Sequence, residues 1–282
     1  MPDATHHHHH LDFDSPEMAA RAELEGEVLA GLVTDATATL AALCRRHGVE
    51  VRRILDLGCG PGVGTCVLAE RFASATVVAA DGSATMLAHA RARADRLGLA
   101  DRVETRLVEL PAGLATLGRA DVAWASMALH HVGDEVDALR GIRDLLAPGG
   151  LLALIEHAGP VRIMGEDSDL GRPGLWDRLD AAWAAWFAGM RASLPGAAES
   201  VGYPDMLQAA GFEVAADRTL TLTVDPPLDD KCRRFAHGQV SRARDHLEPY
   251  AAPADLAALE GLLDEPEARI EVSRHLYVAR AT

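Results

Sequence analysis

The fold of this chain is constrained most by a glycine-rich segment at residues 56–62, which reads DLGCGPG. Residues 51–57 are apolar enough for a buried parallel strand, and residues 63–72 have the apolar spacing of a helix. The glycines therefore lie in a strand-to-helix turn, where missing Cβ atoms allow a tight turn and let a ligand approach the main chain. Free N–H groups at the start of the helix would favour an anionic or carboxylate group of that ligand.

The spacing of the glycines separates two classes of cofactor. The dinucleotide fingerprint G-x-G-x-x-G does not fit, because Val63 or Thr65 stands where each reading frame requires its third glycine. The pattern D-x-G-x-G-x-G is complete, with Asp56 inside the end of the strand. The segment resembles the first motif of the class I S-adenosylmethionine-dependent methyltransferases.

A second stretch extends this resemblance. A predicted strand at 120–126 is followed by Leu-His-His-Val at 129–132, a helix at 134–146, Pro-Gly-Gly at 148–150 and a strand at 151–155. This succession resembles the fourth and fifth motif region of small-molecule class I methyltransferases, so the resemblance covers residues 51–156. It implies an α/β, Rossmann-like fold: a seven-stranded, mostly parallel sheet with one antiparallel strand, flanked by helices, plus helical insertions.

An acid after the second predicted strand, Asp81, lies about twenty residues past the glycines, where a carboxylate can accept both hydroxyls of a ribose. A helix-capping role for Asp81 is the alternative, since a helix with Ser83 as N-cap follows. The resemblance implies S-adenosyl-L-methionine as cofactor. It places Asp56 and the glycines at the methionine end, Asp81 at the ribose, and Met86, Glu109 and Leu110 at the adenine. The predicted cofactor-binding residues are Asp56, Gly58, Cys59, Gly60, Gly62, Asp81, Gly82, Ser83, Met86, Glu109, Leu110, Ser126 and Met127.

Candidate catalytic residues follow the fourth and fifth strands, where ligands bind in an open α/β sheet: His130, His131 and Glu156. A histidine held by a carboxylate can take a hydroxyl proton near neutral pH. In some sugar and phenol O-methyltransferases that the chain resembles, such residues have this role. Structural histidines bonded to the backbone are the alternative, and a base is not obligatory because methyl transfer depends strongly on positioning. No metal is expected at this site.

The segment from 157 to about 210 is longer than a plain connection between strands, and such segments usually carry function or structure of their own. It contains Trp176, Trp183, Trp186, Phe187, Met190 and Tyr203. We interpret it as an insertion that encloses an apolar or planar acceptor. A helix that only packs on the core is the alternative. The chain is accordingly divided into a disordered or tag-like histidine tract at 1–10, a helical cap at 11–48, the cofactor-binding core at 49–156, and insertions with the C-terminal strands at 157–282.

Composition limits the partners of this chain of 282 residues. Its formal net charge of −15 opposes binding to nucleic acid or to an anionic membrane. The first residues lack the features of a secretory signal, and no apolar run approaches a membrane span, which predicts a cytoplasmic protein. The four cysteines include no C-x-x-C pair, so neither a disulfide framework nor a structural metal is expected. A homodimer is left open.

These features predict a methyltransferase that acts on a small organic molecule, by O-methylation first and N- or C-methylation next. An NAD-dependent oxidoreductase is the first alternative, disfavoured by the glycine spacing and by the lack of a Tyr-x-x-x-Lys motif. A non-catalytic cofactor-binding partner protein is the second.

Overall fold

The computed structural model describes residues 14–165, 173–198 and 201–282. The predicted histidine tract at 1–10 lies outside these residues. The helices of the described ranges are α1 Pro16–Val28, α2 Ala30–His47, α3 Val63–Arg71, α4 Ala84–Arg96, α5 Glu135–Leu145, α6 Leu175–Ala192, α7 Tyr203–Ala209, α8 Asp230–Leu247 and α9 Pro253–Gly261. The strands are β1 Arg53–Leu57, β2 Thr76–Asp81, β3 Val103–Leu107, β4 Ala120–Ser126, β5 Leu146–His157, β6 Arg162–Met164, β7 Phe212–Val224 and β8 Arg269–Ala281.

One mixed sheet joins these strands in the order β3-β2-β1-β4-β5-β8-β6, and β7 pairs with the other edge of β8. The pairs among β1 to β5 are parallel, whereas β8 runs antiparallel to β5, β6 and β7. The prediction of a mostly parallel sheet with one antiparallel strand is therefore confirmed. The strand order reverses between β1 and β4, which is where open α/β sheets bind ligands at the carboxyl ends of their strands.

The number of strands differs from the prediction, because the described part of the sheet has eight strands and not seven. The additional strand, β6, pairs with residues 269–271 of β8, and β5 pairs with residues 274–280. Since β7 occupies the other edge of β8, β5 and β6 lie along one row that is interrupted at residues 158–161. Pro160 in this interruption has no N–H to donate to the ladder, which explains the break.

Apolar side chains cover both faces of the sheet, as a largely parallel sheet requires. On one face α2, α3, α6 and α8 pack on a core that includes Leu40, Leu68 and the fully buried Trp124. On the other face α5 and α7 pack on a second core with Leu139 and Leu154. The loops at the carboxyl edge are thus fixed by two cores, and the candidate site residues lie on these loops or at the adjoining ends of strands and helices.

No single helix of the described ranges is long and apolar enough to cross a bilayer. The pair α1 and α2 together has the length and composition, but its two helices meet at 65°.

Candidate functional site

The glycine-rich loop after β1 has the backbone that its sequence requires. Gly58, Gly60 and Gly62 have positive φ angles of 70°, 52° and 79°. A Cβ on Gly58 would lie 2.5 Å from the Cβ of Ala128, and one on Gly62 would lie 2.7 Å from the Cα of Ala90. A Cβ on Gly60 would meet no protein atom within 4 Å. Gly58 and Gly62 are therefore required for packing, whereas Gly60 is required only for its backbone conformation.

Asp81 joins the two strand-to-helix turns. Its Oδ2 accepts a hydrogen bond from the backbone N–H of Gly60 at 2.8 Å, and its Oδ1 accepts one from the N–H of Ser83 at 2.9 Å. The side chain of Ser83 caps α4, since its Oγ accepts from the N–H of Met86 at 3.0 Å. Each carboxylate oxygen keeps further acceptor capacity, so Asp81 can also bind hydroxyl groups.

Asp56 lies buried at the end of β1, where its Oδ2 accepts a hydrogen bond from Thr65 Oγ1 at 2.5 Å. Burial, with a smaller contribution from the charge of Asp81, raises the pKa of Asp56 to about 7. A cation placed beside this carboxyl group would favour its ionised form and lower that pKa. The loop residue Cys59 is also buried, and its N–H donates to the carbonyl of Ala80 at 3.0 Å.

Residues predicted for the adenine lie around the turn after β2. Met86 is buried on the first turn of α4. The Glu109 carboxylate lies against Gly82, because a Cβ on that glycine would be 3.0 Å from Glu109 Oε1. Leu110 is partly buried against the second core, next to Pro111 and a small apolar pocket. The structure therefore brings Glu109 against the turn after Asp81, with Met86 on the helix that follows this turn.

The turn after β4 brings two further predicted residues to this edge. Ser126 ends the strand, and Met127 follows with a φ of 56°, the only positive φ among the described non-glycine residues. The N–H of Met127 donates to the carbonyl of Ile155 at 2.8 Å, which holds this conformation against β5. Backbone conformations of this kind cost free energy and cluster at functional sites.

The residue two positions before α1, Asp14, lies over the turn after β2, a contact that the predicted helical cap at 11–48 did not specify. Asp14 Oδ1 accepts hydrogen bonds from Ser83 Oγ at 2.7 Å and from the N–H of Thr85 at 3.0 Å. These bonds lower the pKa of Asp14. Farther along α1, a Cβ on Gly26 would lie 2.7 Å from the Val63 side chain at the start of α3. Sequence patterns gave no signal for Asp14, because its partners lie about seventy residues away.

The candidate catalytic residues form a buried pair with an exposed neighbour. His130 Nδ1 lies 2.5 Å from Glu156 Oε2, and Glu156 Oε1 accepts from the N–H of Leu129 at 3.0 Å. Both side chains of the pair are buried. The ring of His131 lies 4.1 Å from that of His130, centroid to centroid, and its residue is exposed. Burial of its ring against neighbouring residues, together with the charges of His130 and Arg191, lowers the pKa of His131.

Arg191 of α6 fixes the loop that carries this pair. Its Nη1 donates to the carbonyls of His130, at 2.8 Å, and Val132, and its Nη2 donates to the carbonyl of Gly133 and to Glu135 Oε2, the latter at 2.8 Å. The guanidinium and the Glu135 carboxylate are both buried. Sequence reasoning missed Arg191, because most of its partners are backbone carbonyls that carry no side-chain signal.

The predicted aromatic insertion places part of its residues beside His130. The rings of Trp183 and Phe187 stack at 4.9 Å, and His157 contacts both edge-on at 5.4 and 5.7 Å. The His157 and His130 rings are 5.0 Å apart. Other residues of the set lie elsewhere or are only partly buried: Trp176 lies against Arg162, Tyr203 donates to Glu135, Trp186 stacks on His246, and Met190 is partly buried.

Within residues 14–165, 173–198 and 201–282, no group of three or more His, Cys, Asp or Glu side chains is arranged to hold a metal ion.

Sequence comparisons bear on the same region. A family model described as a methyltransferase domain matches residues 55–152. A trans-aconitate 2-methyltransferase of Azoarcus is 31% identical over 218 residues, which are 76% of this chain and 79% of that protein. Another trans-aconitate 2-methyltransferase, of Methylobacterium radiotolerans, is 38% identical over 121 residues, or 42% and 43% of the two chains. The alignments with the first two curated relatives span only 25% and 43% of those proteins.

A solved structure shows the same fold. An O-methyltransferase family protein of Burkholderia thailandensis superposes with a TM-score of 0.52 at 20% identity, over 73% of this chain and 57% of that one. At this identity the likeness concerns the fold alone.

Proposed function

Because the chain belongs to the small-molecule class I S-adenosylmethionine-dependent methyltransferases, we propose that it catalyses methyl transfer from S-adenosylmethionine to a small organic acceptor. The membership follows from the Azoarcus relative, which is 31% identical and aligned over 79% of its length. S-adenosylmethionine is the cofactor of this family of enzymes. We favour an oxygen as the acceptor atom, with nitrogen or carbon next.

The bridge that Asp81 makes between Gly60 and Ser83 carries this proposal. It aligns the glycine-rich loop with the turn after β2, and the acceptor capacity left on its oxygens suits ribose hydroxyls. Asp56, with its raised pKa, suits the ammonium group at the methionine end. Met86, Glu109 and Leu110 would surround the adenine. The remaining predicted residues lie at the same carboxyl edge of the sheet and would contact the cofactor through backbone groups and packing: Cys59, Gly82, Ser83, Ser126 and Met127.

The chemistry supplied by the bound cofactor is an electrophilic methyl group on its sulfonium. The protein must hold the acceptor in line with that group and exclude water. The pairing of His130 Nδ1 with Glu156 leaves Nε2 as the ring nitrogen that can take a proton from an acceptor hydroxyl. We assign this base role to His130, with Glu156 orienting the ring and His131 beside them at the cleft surface.

Calorimetric titration with S-adenosylhomocysteine tests the cofactor site. Asp81→Asn should weaken binding at least about tenfold, because hydrogen bonds to a charged group contribute about 1.5–3 kcal/mol. Asp101→Asn, at an exposed acid outside the site, should leave affinity unchanged. Radiolabelled methyl transfer to a panel of hydroxyl, carboxyl, amine and carbon acceptors, trans-aconitate included, then tests turnover. Absence of cofactor binding at millimolar ligand would refute the proposal.

The base role has its own test. His130→Gln and Glu156→Gln should lower kcat on a hydroxyl acceptor by about 10²-fold or more. The exposed His237→Gln variant is the control. An acceptor carboxylate is already ionised, so kcat for such a substrate should fall much less. Full turnover by His130→Gln on a hydroxyl acceptor at every pH would exclude the base role.

A further inference from the structure

Three arginines from distant parts of the chain lie close enough for their charges to interact with one another or with Glu25: Arg21 of α1, Arg242 of α8 and Arg274 of β8, called here the arginine cluster. Glu25 of α1 is the carboxylate bonded to it. Glu25 Oε2 accepts from Arg242 Nη2 at 2.9 Å, and Glu25 Oε1 lies 3.5 Å from Arg274 Nη2. One carboxylate is thus shared between two of the three guanidinium groups.

The charges of this cluster are not balanced. Arg274 is only 4% exposed, and Arg21 has two buried nitrogens, Nε and Nη2, without a hydrogen-bond partner within the described ranges. Burial, and then the charge of Arg242, lower the pKa of Arg21 to about 10. Two other acids influence the cluster. Asp245 is exposed, and the buried Glu156 is already bonded to His130. Buried donors without a partner are costly, and an added anion would offset that cost.

The arginine cluster adjoins the acceptor side of the site. Arg274 lies directly opposite His157 in the β5–β8 ladder, and the His157 ring is 5.0 Å from that of His130. The Arg242 and Glu25 side chains are 29% and 23% exposed, so solvent reaches the cluster. His157 Nδ1 is a further buried nitrogen without a partner among the described residues. Polar side chains therefore form a row from the candidate base, His130, through His157 and Arg274 to Arg242.

We propose that the arginine cluster binds a carboxylate of the methyl acceptor, which makes the acceptor a small organic acid. The planar guanidinium fork matches a carboxylate. The hydrogen bond that Arg242 donates to Glu25 shows that the cluster already pairs with a carboxylate. This inference rests on the proposed function, because it assigns the cluster to the acceptor of that reaction. A cluster that served only to attach α1 to α8 and β8 would not distinguish an acid from its neutral analogue.

Calorimetry with S-adenosylhomocysteine present tests the inference. The probes are trans-aconitate and the matched pair 4-hydroxybenzoate and 4-hydroxybenzamide. The wild type should bind the benzoate at least about tenfold more tightly than the amide, as expected for a charge-assisted pair. Arg242→Met and Arg274→Met should weaken binding of both acids at least about tenfold and leave the amide unchanged. Arg242→Lys keeps the charge but loses the planar fork, so its affinity for the acids should lie between those of the wild type and Arg242→Met.

The matched control is Arg244→Met, on the same helix, where an exposed arginine pairs with Glu260. It should bind both acids as the wild type does. Equal wild-type affinity for benzoate and benzamide, or no binding of either acid at millimolar concentration, would overturn the inference even if the arginine variants fail to fold. Titration with S-adenosylhomocysteine alone separates the two proposals: its failure refutes the cofactor assignment, and the acid titrations repeated without it still test the cluster.

Discussion

The proposed cofactor side of the site is made, apart from Asp14, from two neighbouring strand-to-helix turns, whereas the proposed acceptor side is assembled from α1, α6, α8 and β8. On the cofactor side, Asp81 bonds to backbone N–H groups of Gly60 and Ser83, within about twenty residues of itself. On the acceptor side, Arg191 reaches His130 across 61 positions of sequence. The first arrangement depends on local backbone conformation, and the second depends on side chains that only the packed fold brings together.

This difference suggests how the two sides can vary independently. Under the proposed function, backbone N–H groups and glycines contact the cofactor and not the acceptor. The aromatic residues and arginines of the other side can change without disturbing those turns. The following tests ask whether the two sides are separable.

The largest effect is expected at Arg191. Arg191→Met removes bonds to three carbonyls and leaves the Glu135 carboxylate buried without its cation. We expect the free energy of unfolding to fall by about 3–5 kcal/mol, as for other broken buried ion pairs. The Kd for S-adenosylhomocysteine should change less than about twofold if the two sides are separable. Urea denaturation and calorimetry measure the two quantities.

A double variant serves as the control for this test. Arg191→Met combined with Glu135→Gln removes the unpaired charge and should regain part of the lost stability. Wild-type stability of Arg191→Met, or a large loss of cofactor affinity, would contradict the separation of the two sides.

Within the cofactor side, two glycines should respond differently. Gly62→Ala combines a positive φ with a contact of 2.7 Å to the Ala90 backbone, so we expect a loss of about 2–4 kcal/mol in unfolding free energy. Gly60→Ala has the strained φ but no close contact, so we expect its unfolding free energy to fall by only about 1–2 kcal/mol. Chemical denaturation of both variants checks the difference, and equal losses would show that the packing against α4 does not matter.

The smallest effect concerns pH. The pKa of Asp56 is raised from 3.8 to about 7, so between these values the folded protein holds a proton that the unfolded chain has lost. The contribution of Asp56 to stability therefore falls as pH rises through this window. The ammonium of S-adenosylhomocysteine favours the ionised carboxylate, so affinity should rise about tenfold from about pH 6 to about pH 8. In calorimetry, Asp56→Asn should bind S-adenosylhomocysteine more weakly, with an affinity that does not change with pH. If the affinity of this variant rose with pH as in the wild type, Asp56 would be excluded as the cause of the pH dependence.

Several elements of the fold were predictable because their signals are local. The helix that begins at Val63 and the Ser83 cap of α4 agree with the apolar spacing and the turn residues. The interruption between β5 and β6 was not predicted, because Pro160 lay in a segment interpreted as an insertion. Among the two candidate histidines, sequence spacing could not decide which one pairs with Glu156.

The sequence by itself determined the glycine-rich turn, the position of Asp81 and the alternation of strands and helices, because backbone conformation and apolar periodicity depend on neighbouring residues. Only the tertiary structure decided that Asp14 meets Ser83, that Arg191 holds the His130 loop, and that Arg242 and Arg274 share Glu25. These contacts join residues far apart in the chain. Their free energy depends on burial and charge in the folded interior, which local sequence patterns do not encode.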